Sequence, residues 1–392
     1  MPNLVGIGNS QVPTNGMLGG LAYEDSSILY DVRGGRRNLL INGDMRINQR
    51  YGTSSSTEKD RVTIDRWRES NPGASNMSHQ TVADAPYGFH NSEKMTMGNS
   101  NYSISSHQSM YFQQTIEASN VTQLGQGLST AKNFTVSFWV KSTVTGKFSI
   151  AAGNSTTGGY TSGNTTRTFP TTYQINDANT WEYKTVTFPG DTGGTWQRSG
   201  SSGGLAVIFD IGSGSQHEST PGQWNGNDNY RVPGTSRLSA ANSSWQITGV
   251  QLEEGNVATP FDYRPIALET HLCHRYFQRF QGAVGGGGGY GSPGDGAIAT
   301  LANWTDTSAY GPIFMGTVMR YAPKLTGFAH VNYFSAGNTW APGSTSQMYL
   351  AGSCRNRVEI TLQGMSNMSQ GNAGWLRIDN VSGYLDFDAE IS

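Results

Sequence analysis

The chain predicts an all-β protein of two jelly-roll-like β-sandwich domains, joined by a short helix or linker and preceded by an extended N-terminal segment. Apolar and polar residues alternate at period two along many short stretches, and only one stretch follows a helical period. Glycine is abundant, at 51 residues, and charged residues make up only 14%. That balance could describe a disordered chain, but 9 Trp, 18 Tyr and 15 Phe recur inside the alternating stretches and are numerous enough to fill cores. With 392 residues there is room for two such domains.

Residues 1–37 come first. Gly6, Gly8, Gly16, Gly19, Gly20, Gly34 and Gly35 break any long period, and Pro13 interrupts a helix. The segment is too short for a core of its own, so it is either a frayed terminus or is ordered by a partner or by copies of the same chain. Leu18, Leu21, Tyr23, Ile28, Leu29 and Tyr30 make it more apolar than a disordered tail.

Residues 38–265 form the larger β unit. It opens on NLLINGDMRINQR, with a strand-like run at Leu39, Leu40 and Ile41 and an Asn42-Gly43 turn. Trp67 reads as a core residue, and Trp139 lies with Thr135 and Ser137 on the face opposite the apolar residues of its strand. In Asn133–Lys141, Phe134, Val136, Phe138 and Val140 share one face. Stretches 109–116, 147–150, 181–188 and 205–209 continue the series, separated by long loops at 153–168, 190–204 and 212–236. The closing strand is WQITGVQL, Trp245–Leu252, whose alternation slips once, at Gly249, where glycine tolerates a bulge. Glu253 and Glu254 then fall in a solvated turn.

Residues 266–281 give the helical or extended linker. Leu268, Leu272, Tyr276 and Phe280 repeat every four residues, with Cys273 and Phe277 beside them and Pro265 just ahead. Arg275–Gln281 alternates equally well as a strand, so a short helix running into a strand is expected. Residues 282–392 are the second sandwich, beginning after the glycine run 285–289. Its last strand points Leu385, Phe387 and Ala389 one way and Asp386, Asp388 and Glu390 the other, the acids reading as a solvated face.

Several function classes are disfavoured. The net charge is −2 without a basic stripe, which leaves nucleic-acid binding unsupported. No apolar run approaches the ~20 residues that cross a bilayer, and the first residues are too polar for a secretory signal. Cys273 and Cys354 match neither zinc nor redox spacing. His271 and His274 lack a third ligand nearby, so no metal site is expected. The acids of the last strand and the Glu253-Glu254 pair are better explained by solvation than as a glycosidase pair, and no nucleophile elbow or phosphate loop is present. The chain is therefore expected not to be an enzyme and to need no cofactor.

Aromatic residues in polar loops are the better candidates, because sugar rings stack on exposed aromatic faces flanked by amides and carboxylates. Tyr160, Trp196, Trp224, Tyr230, Tyr290, Trp304 and Trp340 meet that description; the competing reading is that they close the sandwich ends or pack between subunits.

Three stretches resemble tail-fibre and fibre-like virion proteins of bacteriophages, particularly marine ones. They are VPTNGMLGGLAYEDSS at 12–27, NLLINGDMRINQR with DRW and the closing WQITGVQLEEGNVATPFDYRP and LCHRYFQRF, and VMRYAPKLTG with the terminal YLDFDAEI. The larger unit is also similar in outline to jelly-roll carbohydrate-binding modules. The first resemblance implies a homotrimeric structural protein, assembled in the host cytoplasm and exposed on the particle. Its residues 1–37, with Met17, Leu18, Leu21 and Tyr23, would anchor it to tail, collar or head proteins. Its distal domains would meet a host-surface glycan or receptor. A head-decorating fibre, or a collar or baseplate component without receptor binding, shares the same signals; a glycan-cleaving enzyme is the remaining class. No heptad stem or chaperone domain is visible, so the fibre would be short. The second resemblance implies the option of a structural Ca²⁺ at Asp44 with Glu253 or Glu254.

Overall fold

The computed structural model describes residues 37–71, 77–154, 167–227, 229–282, 296–335, 338–378 and 382–391. Among the described residues, eleven strands precede the α-helix: β1 (Val62–Ile64), β2 (Trp67–Ser70), β3 (Ser78–Val82), β4 (Ser92–Thr96), β5 (Tyr111–Glu117), β6 (Phe134–Ser142), β7 (Gly146–Gly153), β8 (Thr168–Ile175), β9 (Glu182–Phe188), β10 (Gly203–Asp210) and β11 (Ser244–Glu254). After α1 (Ile266–His274) come β12 (Phe277–Gln281), β13 (Gly296–Thr305), β14 (Ser308–Phe314), β15 (Lys324–Ala329), β16 (Val331–Ser335), β17 (Asn338–Trp340), β18 (Met348–Cys354), β19 (Arg357–Gln363), β20 (Ala373–Ile378) and β21 (Tyr384–Asp388). The molecule is all-β, in antiparallel sheets.

The first eleven strands make a jelly-roll-like sandwich of two sheets, ordered β1-β2-β5-β10-β7-β8 and β3-β4-β11-β6-β9. Their inner faces interlock through large rings. Phe138 of β6 meets Phe209 of β10 edge-on at 5.0 Å, and Trp67 stacks on Phe112 at 5.0 Å. As the alternation requires, Phe134, Val136, Phe138 and Val140 are all buried in this core. Trp139 points the other way, half-buried against Tyr183, and is not a core residue.

β11 lies between β4 and β6 in the middle of its sheet. Its register slips between Thr248 and Gln251, and Gly249 sits at φ 62°, a left-handed conformation that disfavours side chains. A Cβ there would lie 2.6 Å from the Phe89 ring. The strand runs two residues further than its alternation suggests. Glu253 is buried and accepts hydrogen bonds from Thr259 N at 2.9 Å and Thr259 Oγ1 at 2.7 Å, while Glu254 pairs with Lys132. The expected solvated turn is thus corrected: the returning 259–262 segment supplies donors that keep the chain extended and cover Glu253.

Leu39–Ile41 also departs from expectation, being buried but not a strand. Side-chain amides replace the ladder there. Asn38 Oδ1 accepts from Leu252 N at 3.1 Å and Asn38 Nδ2 donates to Val250 O at 3.0 Å. Asn42 Oδ1 accepts from the backbone of Arg46 and Ile47, and Trp67 Nε1 donates to Asn42 O.

α1 runs into β12, as the two overlapping periodicities suggest. Its buried face differs from the expected one. Leu268 is exposed, and Glu269 and Cys273 face inward, followed by Tyr276 after the helix. Glu269 tolerates burial because it accepts from Asn42 N and pairs with Arg264.

The later strands form a seven-stranded sheet, β17-β16-β20-β13-β14-β19-β18, and a three-stranded one, β12-β21-β15, which share a second core. The acids of β21 and its C-terminal extension correct another expectation: they are mostly buried and paired. Asp386 binds Arg279 in two parallel hydrogen bonds, Asp388 meets Arg50 at 2.9 Å, and Glu390 pairs with Arg66 in the buried junction. Arg50 and Arg66 belong to the first sandwich, so this acidic face joins the two halves of the molecule. Arg66 also lies over the Tyr276 ring, at 3.4 Å, and Arg50 over Phe277, at 3.6 Å.

Candidate functional site

The inner face of the seven-stranded sheet is committed to the second core, so its outer residues decide what the sheet can bind. Along β14, Ala309, Gly311 and Ile313 are buried while Tyr310, Pro312 and Phe314 are exposed. β19 repeats the pattern, with Val358, Ile360 and Leu362 inward and Glu359 and Gln363 outward. Register places Tyr310 opposite Thr361, and Thr361 opposite Tyr349 of β18. A register irregularity between Asn303 and Thr305 brings Trp304 beside this row.

The result is a shallow depression of about 480 Å³ lined by Trp304, Tyr310, Tyr349, Ser308, Glu359, Thr361 and Gln363. The Trp304 and Tyr310 rings meet edge-on at 5.8 Å, and Trp304 is 64% exposed. Tyr349 OH donates to Gln363 Oε1 at 3.4 Å, while Gln363 Nε2 donates to Ser346 O at 2.7 Å, so the amide is held in place at the rim. Ser308 Oγ shares a 2.7 Å hydrogen bond with Thr305. Chemically this is an apolar floor with hydroxyl, amide and carboxylate groups around it, suited to a polyhydroxylated ring.

The aromatic candidates separate on burial. Trp304 lies in the depression, though at the end of a strand and not in a loop. Trp196 is only 8% exposed and donates from Nε1 to Asp191 Oδ2 at 3.0 Å. Trp224 is half-buried, edge-on to Trp196 at 5.4 Å, with Nε1 donating to Pro189 O. Together they plug one end of the first sandwich, because each indole finds both apolar neighbours and an acceptor there. Tyr230 is 2% exposed, packed on Tyr111 and His217 and hydrogen-bonded to Ser213. Trp340 belongs to edge strand β17 and packs on the second core. As exposed platforms, Trp196 and Tyr230 are therefore corrected to packing residues. Tyr160, Tyr290, Met17, Leu18, Leu21 and Tyr23 lie outside the described residues.

Tyr310 and Tyr349 are absent from the sequence-based candidates. Their signal is weak but present: β14 carries apolar residues on both faces, more than a one-sided sheet needs.

Each carboxylate considered for Ca²⁺ has partners within the chain. Asp44 pairs with Arg46, Glu253 is occupied by Thr259 and Gln251, and Glu254 by Lys132. Among the described residues no group of three or more His, Cys, Asp or Glu is placed to hold a metal ion. His271 contacts Thr317 Oγ1. No described helix is long and apolar enough to cross a membrane.

No family model matches the chain, and no curated protein does. Similar solved structures include the enzymatically active domain of tailspike protein 4 of bacteriophage CBA120, at 15% identity and TM-score 0.31, covering 56% of this chain and 21% of that one. The CBM22-1 xylan-binding domain of Paenibacillus barcinonensis Xyn10C matches at 9% identity and TM-score 0.27, over 57% of this chain and 99% of that one. The tripod from the baseplate of bacteriophage Tuc2009 matches at 12% identity and TM-score 0.25, over 58% of each chain. The chain thus spans about a fifth of the tailspike structure.

Proposed function

We propose that this chain is a non-enzymatic structural protein of a bacteriophage particle, a homotrimeric tail fibre that attaches to the host by holding a cell-surface glycan on the outer face of its terminal sheet. The observation that carries the binding part is the Trp304–Tyr310–Tyr349 depression, an exposed aromatic surface ringed by fixed polar groups. Exposed aromatic area of this kind is uncommon on a surface that meets only water.

The virion part rests on the resembling motifs, and the fold adds a reason for their spacing. Asn38, Asn42, Trp67, Leu252 and Arg264 converge in one hydrogen-bonded knot, in which Arg264 Nη1 donates to Leu40 O at 3.0 Å. That knot has a structural duty, which leaves receptor contact to surfaces elsewhere. Among these, the depression has the shape and chemistry for a sugar.

The test is binding of the full chain to host cells and to neutral oligosaccharide arrays. Trp304→Ala and Tyr310→Ala should each weaken binding about 5- to 50-fold, the loss of one stacking face, with unchanged thermal unfolding because both side chains are exposed. Adsorption that survives both substitutions would refute the glycan site. Light scattering of the purified protein at three times the chain mass, and its detection in tail fractions of disrupted particles, test the trimer and its place on the virion.

A further inference from the structure

The junction between the two sandwiches holds a cleft of about 740 Å³, large enough for a short oligosaccharide. Six cationic side chains line it (Arg50, Arg61, Arg68, Arg279, Arg320 and Lys324) against four carboxylates. All four carboxylates are paired: Glu58 with Arg61, Asp386 with Arg279, Asp388 with Arg50 and Glu390 with Arg66. Arg68, Arg320 and Lys324 form no ion pair among the described residues. Arg320 spends its donors on the backbone oxygens of Ala389, Glu390 and Ser201, at 2.7–2.8 Å, which fixes the guanidinium without a carboxylate partner among the described residues. Burial, then the nearby Arg66 charge, lowers its pKa from the ordinary arginine value, against the opposing charges of Glu117 and Glu390.

A second observation points the same way. The Arg50 side chain is only 10% exposed, and its Nη1 has no hydrogen-bond partner among the described residues, although Nη2 is bonded to Asp388. The Arg50 charge itself is met by Asp388 and, at 3.6 Å, by Glu390 Oε1, so what this nitrogen lacks is an acceptor and not a counter-charge. Aromatic surface lies alongside: Tyr321, 65% exposed, and the half-buried Tyr51 both line the cleft.

From this combination we infer that the cleft is a second binding site, which takes an anionic saccharide through a carboxylate or sulfate group. The cations receive the anionic group and the tyrosine rings the sugar face. The depression on the terminal sheet has the opposite preference, since its one charged lining residue is Glu359, which repels such ligands.

Calorimetric titration of the full chain tests this with four probes: tetragalacturonate, a sulfated carrageenan tetrasaccharide, neutral cellotetraose and inorganic sulfate. The proteins compared are wild type, the double variant R68Q/K324Q and W304A. Because Arg68 and Lys324 form no ion pair, the double variant should unfold at the wild-type temperature. At least one anionic tetrasaccharide should bind wild type, weaken with added salt, lose tenfold or more in R68Q/K324Q, and bind W304A unchanged. Whether galacturonate or carrageenan binds tells carboxylate from sulfate. The inference is overturned if neither binds, if the double variant binds equally well, or if inorganic sulfate alone matches the oligosaccharides. It is also overturned if W304A rather than R68Q/K324Q abolishes binding. Failure of neutral sugars at the aromatic face would leave the cleft untouched, so the two sites fail separately.

Discussion

Glu69 is fully buried near Glu93, with His79 facing Glu93 at 3.6 Å and Asp60 contributing further negative charge. Burial first, then the Glu93 charge, pushes the Glu69 carboxyl up to about 8, with Asn71 opposing. Folding therefore holds a proton that the unfolded chain releases near its ordinary value of 4.5. The associated stability is complete below that value and is lost as pH rises through about 8. Denaturation of Glu69→Gln should show a flatter pH profile between pH 5 and 9. Its stability relative to wild type should rise by on the order of 3 kcal/mol across that window. Identical slopes in the two proteins would contradict the assignment. Nothing in the local sequence announces this behaviour: Glu69 occupies a strand of mixed polarity, and only the packing of one sheet on the other brings it close to Glu93. Trp196 and Tyr230 show the same limit in reverse, since polar flanking residues suggest exposure while distant apolar partners bury both rings.

At the scale of the element, β11 was the most legible stretch. Its alternation located the strand, and its single slip located the bulge at Gly249. Gly249→Ala places a side chain at positive φ and against Phe89, and should lower stability by about 1–3 kcal/mol in urea denaturation. A wild-type midpoint would show that the bulge relaxes freely. The ends of β11 were less legible, because Glu253 stays in the strand only through donors from 259. α1 carries a related lesson. A four-residue apolar repeat pointed to Leu268, yet Glu269 is the residue turned inward, since Arg264 and the Asn42 amide neutralise the cost of burying it. On the terminal sheet, the residues of β14 and β19 alternate, but periodicity alone does not rank their two faces by contact with ligand.

For the whole molecule, the junction governs behaviour. The Arg66–Glu390 pair is buried on both sides, and Arg66 also donates to Thr115 O at 2.6 Å. Glu390→Gln leaves an arginine buried without its counter-charge and should cost about 3–5 kcal/mol. Replacing both partners by methionine should recover most of that loss. With Arg275 also clamped on Glu117 by two 2.7 Å hydrogen bonds, the two sandwiches are expected to unfold in one calorimetric transition in wild type. Two separated transitions would mean the junction is weaker than its pairing suggests.

By itself the sequence determined the class of fold, the stretches that become β5, β6, β7, β9, β10 and β11, the helix that runs into a strand and the position of the central bulge. These depend on periodicity and on glycine, which act over a few neighbouring residues. The tertiary structure alone decided which aromatics are surface and which are core, and that the acids of the last strand are a joint and not a solvated face. It also decided that Arg68, Arg320 and Lys324, which form no ion pair among the described residues, gather in one cleft. Each of these depends on partners as distant as Arg66 and Glu390, 324 positions apart, whose meeting is set by how the sheets pack. Burial and charge compensation are properties of that packing, and no local pattern carries them.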